Sequence, residues 1–446
     1  MKPIQVGLLG IGVVGSGTFN VLKRNQEEIK RRAGRGIEIT QVADLNVARA
    51  RELVGPGVSV VDDARAVIAN SDIDIVIELI GGYGVAKTLV LEAIAAGKHV
   101  VTANKALLAV HGTEIFAAAS AKGVMVAFEA AVAGGIPIIK ALREGLTANS
   151  IQWIAGIING TTNFILSEMR DKGLDFAVVL KQAQALGYAE ADPTFDIEGV
   201  DAAHKATIMS AIAFGIPVQF DKAYVEGITK LGAADIKYAE QLGYRIKLLG
   251  ITKRTPKGIE LRVHPCLIPA KRLIANVEGA MNAVMVQGDA VGTTLYYGKG
   301  AGSEPTASAV IADLVDITRL HTADPKQRVP HLAFQPNAMS DLPVMAMGEV
   351  ITSYYLRLRV ADETGVLAKV TGILADAGIS IDAVLQREAD EIGTEASAGL
   401  PQVPQTDVII LTHDCLEADM NAAIGKMQAL PTVLEPITRI RKEELA

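Results

Sequence analysis

Over the first ~130 residues, short apolar runs alternate with longer amphipathic stretches. Ile4–Leu9 reads as a buried strand, and after a glycine turn a helical pattern runs from Gly15 to Arg31. Ile37–Val42 predicts a second strand and Ala48–Val54 a helix, and Ile73–Ile80 is a further strong strand. A helix over Val85–Ala96, closed by Gly97, leads to a strand at Lys98–Val101. Strand and helix alternating at this period imply parallel β-α-β units, so the predicted class is α/β, a doubly wound Rossmann-type sheet.

Beyond residue ~140 the rhythm changes. Helical stretches at Phe176–Leu186 and Asp201–Phe214 mix with extended ones at Ile259–Val263 and Met281–Val286, which predicts an α+β domain with its own sheet. Ser308–Arg319 reads as a helix that packs back on the first domain, and the Pro- and polar-rich stretch Pro325–Pro343 as a linker. Alternation resumes in Ser353–Val360, a half-buried strand. A helix over Val366–Ala377, stopped by Gly378, leads to a strand opening at Ile379–Ile381. A polar insertion (Glu388–Gln405), a strand (Asp407–Leu411) and a helix (Leu416–Met427) complete a β-α-β…β-α order, which is ferredoxin-like. The expected divisions are 1–135, 136–305, a return helix with linker over 306–345, and 351–446.

A chain of 446 residues exceeds what a single core supports, in keeping with several domains. A net charge of -7 argues against a nucleic-acid partner, which would meet a concentrated basic face. The one basic run, Lys30-Arg31-Arg32 with Arg35, reads as a solvated helix end. Cys266 and Cys415 lie far apart and form neither a disulfide framework nor metal-ligand spacing, which suits a reducing compartment. Met1-Lys2-Pro3 leads straight into a strand without signal-peptide architecture. The longest apolar candidate, Val124–Ile139, is broken by Glu129, two glycines and Pro137 and is too short for a bilayer. The expectation is a soluble, cytoplasmic protein with no membrane partner.

Gly10-Ile11-Gly12-Val13-Val14-Gly15 fits G-x-G-x-x-G between a predicted strand and a helix. In that context the first glycine makes the tight turn, and the second lets backbone approach a pyrophosphate. The third allows close helix–strand packing, and the helix N-terminus offers N–H groups to phosphate. Asp44 follows the second strand, where an acid accepts the ribose 2′-OH of NAD. The plainer alternative for the same residue is a cap on the helix that follows. Because Arg49 and Arg51 stand close enough to receive a 2′-phosphate, the reading is NAD(P), leaning to NAD.

The stretch Gly187–Lys205 is the most informative in the chain, with five acids, the last of which, Asp201, stands at i to i+4 with Lys205. By spacing alone this pair is either a surface ion pair worth about 0.2–0.5 kcal/mol or a proton-handling pair on a buried helix, given its apolar flanks. The segment resembles the homoserine dehydrogenase signature G-Y-x-E-x-D-P-x-x-D-[IV]-x-G-x-D-x-x-x-K, position for position. Gly81-Gly82, Ala103-Asn104-Lys105, Glu129–Pro137, Asn159-Gly160-Thr161-Thr162-Asn163 and Tyr297–Gly302 agree with that family, so the resemblance covers residues 1–340.

The resemblance implies interconversion of L-homoserine and L-aspartate 4-semialdehyde with a nicotinamide cofactor. It makes Lys205 the acid/base, has Glu190 bind the substrate amino group, and lines the site with Asp196 and Asp201. It puts Lys105 beside nicotinamide and substrate, in proton transfer or cofactor binding, and Gly302 at the cofactor. It implies a structural Na+ held mainly by main-chain carbonyls around Glu129, Val132, Gly134 and Ile136, and a dimer through the second domain. A phosphorylating semialdehyde dehydrogenase, the nearest rival, needs a nucleophilic cysteine, for which Cys266 and Cys415 are poorly placed.

Val360–Val370 resembles an ACT domain, whose usual D-x-P-G-V-L pattern stands here as Asp362-Glu363-Thr364-Gly365-Val366-Leu367. That implies small-molecule binding at Asp362, Gly365, Val366 and Leu367, with L-threonine as feedback effector, and pairing that would turn a homo-dimer into a tetramer.

Overall fold

The computed structural model describes residues 2–386 and 404–445. The first domain runs β1 (Ile4–Leu9), α1 (Val13–Arg24), α2 (Gln26–Ala33), β2 (Ile37–Ala43), α3 (Val47–Val54), β3 (Ser59–Val61) and α4 (Ala64–Ala69). It continues with β4 (Ile75–Glu78), α5 (Val85–Ala95), β5 (His99–Thr102), α6 (Lys105–Lys122) and β6 (Val126–Ala127). All six strands are parallel, in the order β3-β2-β1-β4-β5-β6. β4 and β5 are buried throughout, which is why they read as continuous apolar runs. The order reverses between β1 and β4, the switch point where such sheets bind ligands at their C-terminal ends.

Two expectations need correction here. The helix expected over Gly15–Arg31 is two helices, because Asn25 (φ −105°, ψ 19°) ends α1 and turns the chain into α2. The strand expected over Ile73–Ile80 is shortened at its C-terminal end, where Glu78 Oε1 accepts the N–H groups of Ile80 and Gly81 and draws the chain out of the ladder.

The second domain begins with a single turn, α7 (Ile138–Lys140), then β7 (Ile151–Ile157), α8 (Gly160–Lys172), α9 (Phe176–Ala185), the short α10 (Thr194–Ile197) and α11 (Val200–Phe214). β8 (Tyr224–Val225), α12 (Ala233–Gln241), β9 (Tyr244–Thr255), β10 (Gly258–Pro269), β11 (Met281–Gly288) and β12 (Gly292–Lys299) follow. α13 (Ser303–Leu320) then returns to the first domain and packs on α1 and α2. A Cβ at Gly17 would stand 2.4 Å from Ser303 Oγ, so α1 and α13 meet at backbone distance.

The Pro-rich connector is not a free linker. His331 accepts the Val126 N–H, Arg328 donates to carbonyls of Gly123 and Ala323, and Pro343 O accepts the Ile259 N–H. Its prolines suppress regular structure while its ends stay pinned.

The C-terminal module comprises β13 (Ile351–Ala361), α14 (Val366–Asp376), β14 (Ile381–Gln386), β15 (Gln405–Thr412), β16 (Cys415–Leu416), α15 (Glu417–Gln428) and β17 (Thr438–Lys442). Its sheet order, β17-β13-β15-β14, is the ferredoxin-like one. The polar insertion expected before residue 405 lies outside the described residues up to residue 403. This module does not hang on a tether, since β17 also pairs in parallel with β10 (Cys266 with Arg441, Leu267 with Lys442). The second sheet therefore runs unbroken as β12-β11-β7-β9-β10-β17-β13-β15-β14. Among the described residues no helix is long and apolar enough to cross a membrane.

Candidate active site

The glycine motif occupies the switch point. Gly10 has φ +90° and faces the backbone of Leu79, where a Cβ would approach Leu79 O to 2.9 Å. At Gly15 a Cβ would meet Gly10 O at 2.3 Å, so the third glycine lets the helix pack onto its own turn. Gly12 is different: it begins α1 as its N-cap and has open space where a Cβ would go. That is room for a phosphate against the helix N-terminus. Gly302 starts α13 beside it, with Ser303 Oγ donating to Val13 O.

Asp44 does not cap α3, because Asn46 does, accepting the Arg49 N–H. Instead its carboxylate accepts the N–H of Ile11 at 2.9 Å and of Asn46 at 2.8 Å, tying the end of β2 to the glycine turn. Arg49 and Arg51 lie exposed on α3. Val13, Ile80, Tyr83 and Val85, all exposed, give the C-terminal ends of β1 and β4 an apolar rim.

Lys105 is the first residue of α6, whose N-cap Asn104 accepts the Leu107 N–H, so the same lysine is both a helix start and a site residue. α6 packs on α11, which brings Lys105 to the acids of the second domain. Asp201, 3% exposed, joins both lysines: Oδ1 lies 2.9 Å from Lys105 Nζ and Oδ2 2.7 Å from Lys205 Nζ. Lys205 Nζ also donates to Ile158 O at 2.7 Å.

The electrostatics separate the two lysines. Burial, reinforced by repulsion from Lys105, holds the Lys205 ammonium below the usual lysine range despite Asp201. Burial works against charge on Lys105 too, but Asp201, Asp196 and Glu190 outweigh it and raise that pKa. Burial would push Asp201 up, yet the two lysines and Asn159 keep it well below the usual carboxylate range. One lysine is thus poised to release a proton and the other is held charged.

Asp196 sits at the end of α10, where Asn159 Nδ2 donates to its Oδ1 at 2.7 Å and to Asp201 Oδ2 at 2.9 Å. Thr161 Oγ1 donates to Asp196 Oδ2 at 3.0 Å. Glu190 lies exposed at the rim and makes itself felt through its charge on Lys105. The sequence reading assigned Asn159 and Thr161 no individual part. The signal was a polar run directly after a strand end, at the position of a helix cap.

The remaining candidates lie outside this cluster. Glu129 is buried, and its carboxylate accepts the N–H groups of Ile139 and Lys140, capping α7, while its own N–H donates to Asp313. Burial raises its pKa to about 7. Ala133 and Gly134 turn the chain with positive φ, and Gly134 abuts Gly300. In the C-terminal module, Asp362, Gly365 and Leu367 are exposed at the start of α14, whereas Val366 belongs to its core.

Burial pushes the Cys266 thiol well up and Cys415 up to about 12, so neither serves as a nucleophile. Among the described residues one metal-like grouping exists, His264, Cys266 and Glu443. Arg262 already fills it, with Nη1 2.8 Å from His264 Nε2 and 2.6 Å from Glu443 Oε1. A cavity of about 500 Å³ between α6 and the connector includes no residue of the acid–lysine cluster.

Comparison with known proteins gives the family to which this fold and sequence are similar. Residues 10–129 match the family model for the NAD binding domain of homoserine dehydrogenase, residues 137–315 that for homoserine dehydrogenase, and residues 354–398 that for the ACT domain. The chain is 61% identical to a homoserine dehydrogenase of Pseudomonas aeruginosa and 57% identical to one of Neisseria gonorrhoeae, covering 100% of each chain. Its backbone matches the crystal structure of a homoserine dehydrogenase from Thiobacillus denitrificans with a TM-score of 0.94 at 64% identity, over 100% of this chain and 99% of that one. With a glycine turn at the switch point of the first sheet and two lysines on one buried acid, the chain belongs to the homoserine dehydrogenase family and carries an ACT domain.

Proposed function

We propose that the chain interconverts L-homoserine and L-aspartate 4-semialdehyde, with Lys205 as the acid/base. The observation that carries this reading is Asp201 bridging two lysines whose proton affinities it leaves unequal. Bound NAD(P) supplies the hydride acceptor for oxidation and the donor for reduction. An ammonium has three donors, and two at Lys205 are spent on Asp201 and Ile158 O. The third is left for the substrate oxygen, from which neutral Lys205 takes the hydroxyl proton in oxidation and to which the ammonium returns it in reduction. Lys105, kept charged, stabilises the developing alkoxide and borders the nicotinamide. Glu190 and Asp196 bind the substrate ammonium.

For the cofactor, Gly10 to Gly15 and Gly302 hold the phosphates, and Asp44 accepts from the ribose, which favours NAD. In an assay offering L-homoserine with each cofactor in parallel, growth of reduced-nicotinamide absorbance is expected, faster with NAD. Faster reduction of NADP would instead seat its phosphate on Arg49 and Arg51. No reduction with either, in folded protein, would reject the enzymatic reading.

L-Threonine is the effector in this reading, bound at Asp362, Gly365, Val366 and Leu367 across paired ACT domains. Threonine should lower activity in the parent and much less in Asp362→Ala, with uninhibited activity equal in both. Inhibition of equal strength in both would move the effector elsewhere, and none in either would remove threonine. The same reading has a dimer form through the second domain and ACT pairing make it a tetramer; among the described residues β14 lies at the edge of the sheet. The main-chain carbonyls of Glu129, Val132, Gly134 and Ile136 suit a hard monovalent cation such as Na+, since the Glu129 carboxylate is spent on α7.

A further inference from the structure

The second and third domains meet across a buried ionic cluster that reaches toward the acids of the active site. Arg441 of β17 is fully buried. It donates to Glu417 Oε1 at 2.6 Å and to Glu226 Oε2 at 3.0 Å. Arg439 donates to Glu226 Oε2 at 3.2 Å, and Tyr224 Oη to the same oxygen at 2.6 Å. Both arginines lie in the C-terminal strand, whereas Glu226 directly follows β8 of the second domain.

What Glu226 touches next is the loop between the two site acids. Its N–H donates to Val263 O, which fixes this segment along β10. Two residues on, the Ile228 N–H donates to Ile197 O at 2.9 Å, and Thr229 Oγ1 donates to Glu198 Oε1 at 3.0 Å. Between them, a Cβ on Gly227 would stand 2.3 Å from Ile197 O and 2.5 Å from Glu198 Cα. Gly199, at φ +84°, has Glu226 O 3.4 Å from where its Cβ would go. Residues 197–199 are therefore seated on 226–229, with Asp196 directly before that seat and Asp201 two residues after it.

We propose that Glu226, gripped by Arg439 and Arg441 of the C-terminal strand, is a positioning residue for Asp196 and Asp201. The proposal rests on the assignment of those acids to the substrate site above. The guanidinium groups fix where the Glu226 backbone lies, and that backbone sets the height of the turn joining α10 and α11, the helices that carry the two acids. Misplacement by about 1 Å at a reacting centre costs up to ~10²-fold in rate, so a seat of this kind acts on catalysis without touching substrate. The C-terminal strand then belongs to the machinery that aligns the active site.

The test uses the full chain and steady-state kinetics in the oxidative direction. Glu226→Gln keeps the shape but weakens the charged grip, and Gly227→Ala wedges the seat without altering the ionic cluster. Both are expected to lower kcat/KM for L-homoserine by about 10-fold, mostly through KM, with KM for the cofactor unchanged. Tyr355→Phe, which removes a hydroxyl bonded to Asp235 across the same interface, should lower the melting temperature while leaving KM for homoserine at the parental value. Folded Glu226→Gln and Gly227→Ala enzymes with parental KM would overturn the proposal, and so would a Tyr355→Phe enzyme that raises KM equally. Asp196→Ala serves as the reference. If it raises KM while the two seat variants do not, the seat fails and the substrate-site reading survives. If Asp196→Ala is itself parental, both fall together.

Discussion

Replacing Lys205 by alanine is expected to slow turnover by about 10²–10⁴-fold while leaving cofactor affinity at its parental value. The loss is confined to chemistry because Lys205 lies among Asp201, Ile158 O and the substrate position, with the glycine turn in another domain. Its pKa sets the pH dependence as well. In the mechanism proposed above, oxidation needs the neutral amine and reduction the ammonium. Since burial and Lys105 lower the Lys205 pKa, oxidation should rise with pH through a value below the ordinary ~10.4, and reduction should fall over the same interval. In Lys205→Ala that ionisation vanishes from both profiles. Pre-steady-state and steady-state rates across pH check this, and a variant with near-normal turnover would remove Lys205 from the mechanism.

Asp201→Asn should do comparable damage by a different route. Asp201 is the shared counter-charge for both lysines, and asparagine keeps its shape without its charge. Lys205 would then answer by giving up its proton at lower pH still, so the oxidative limb moves acid and the reductive direction loses its acid catalyst. We expect reduction at neutral pH to fall by about 10²-fold or more, and oxidation by less. Removing one member of a buried ion pair costs about 3–5 kcal/mol, a figure that loss of the Lys205 proton reduces. The Asp201 pKa is depressed in the folded state. Its contribution is therefore fully present above the unfolded value of ~3.9 and disappears as pH falls through the folded one. The gap in melting temperature between parent and Asp201→Asn should accordingly hold from neutral pH to about 5 and narrow in stronger acid. A variant that reduces the aldehyde as well as the parent at neutral pH would show that Lys205 does not depend on this carboxylate.

Most of the first sheet was legible because strands buried on both faces write themselves as apolar runs, as β4 and β5 do. β3 was not, since three residues carry no period, and the break at Asn25 was masked because Ile29 and Ala33 continue the apolar stripe of α1. β17 escaped for another reason. Thr438-Arg439-Ile440-Arg441-Lys442 looks like surface, and it is partners distant in sequence, Glu226 and Glu417 with the Tyr224 hydroxyl, that make burial of Arg441 tolerable. At the site, Asp201 and Lys205 stood out by helical spacing, but that spacing alone could not tell a surface pair from a buried one. Lys105 was reached through the family resemblance alone, and its contact with Asp201 shows only in the fold, because β5 and α6 carry it there from another domain.

The return of α13 to α1 makes the first domain discontinuous along the chain. Its apolar cluster unites Ile4, Val6 and Leu8 with Val310, Leu314 and Ile317. Ribosomes add about 5–20 residues per second, so roughly 15–60 s separate the synthesis of α1 from that of its covering helix. Throughout that interval the nascent first domain holds a flank of its sheet open to whatever it meets. Contacts spanning nearly three hundred residues also close late and slowly, since loop entropy is lost before they form. During synthesis the second domain is therefore complete in length before the first is complete in structure, and premature termination ahead of residue 303 is expected to leave a fragment with the apolar flank of its first domain uncovered.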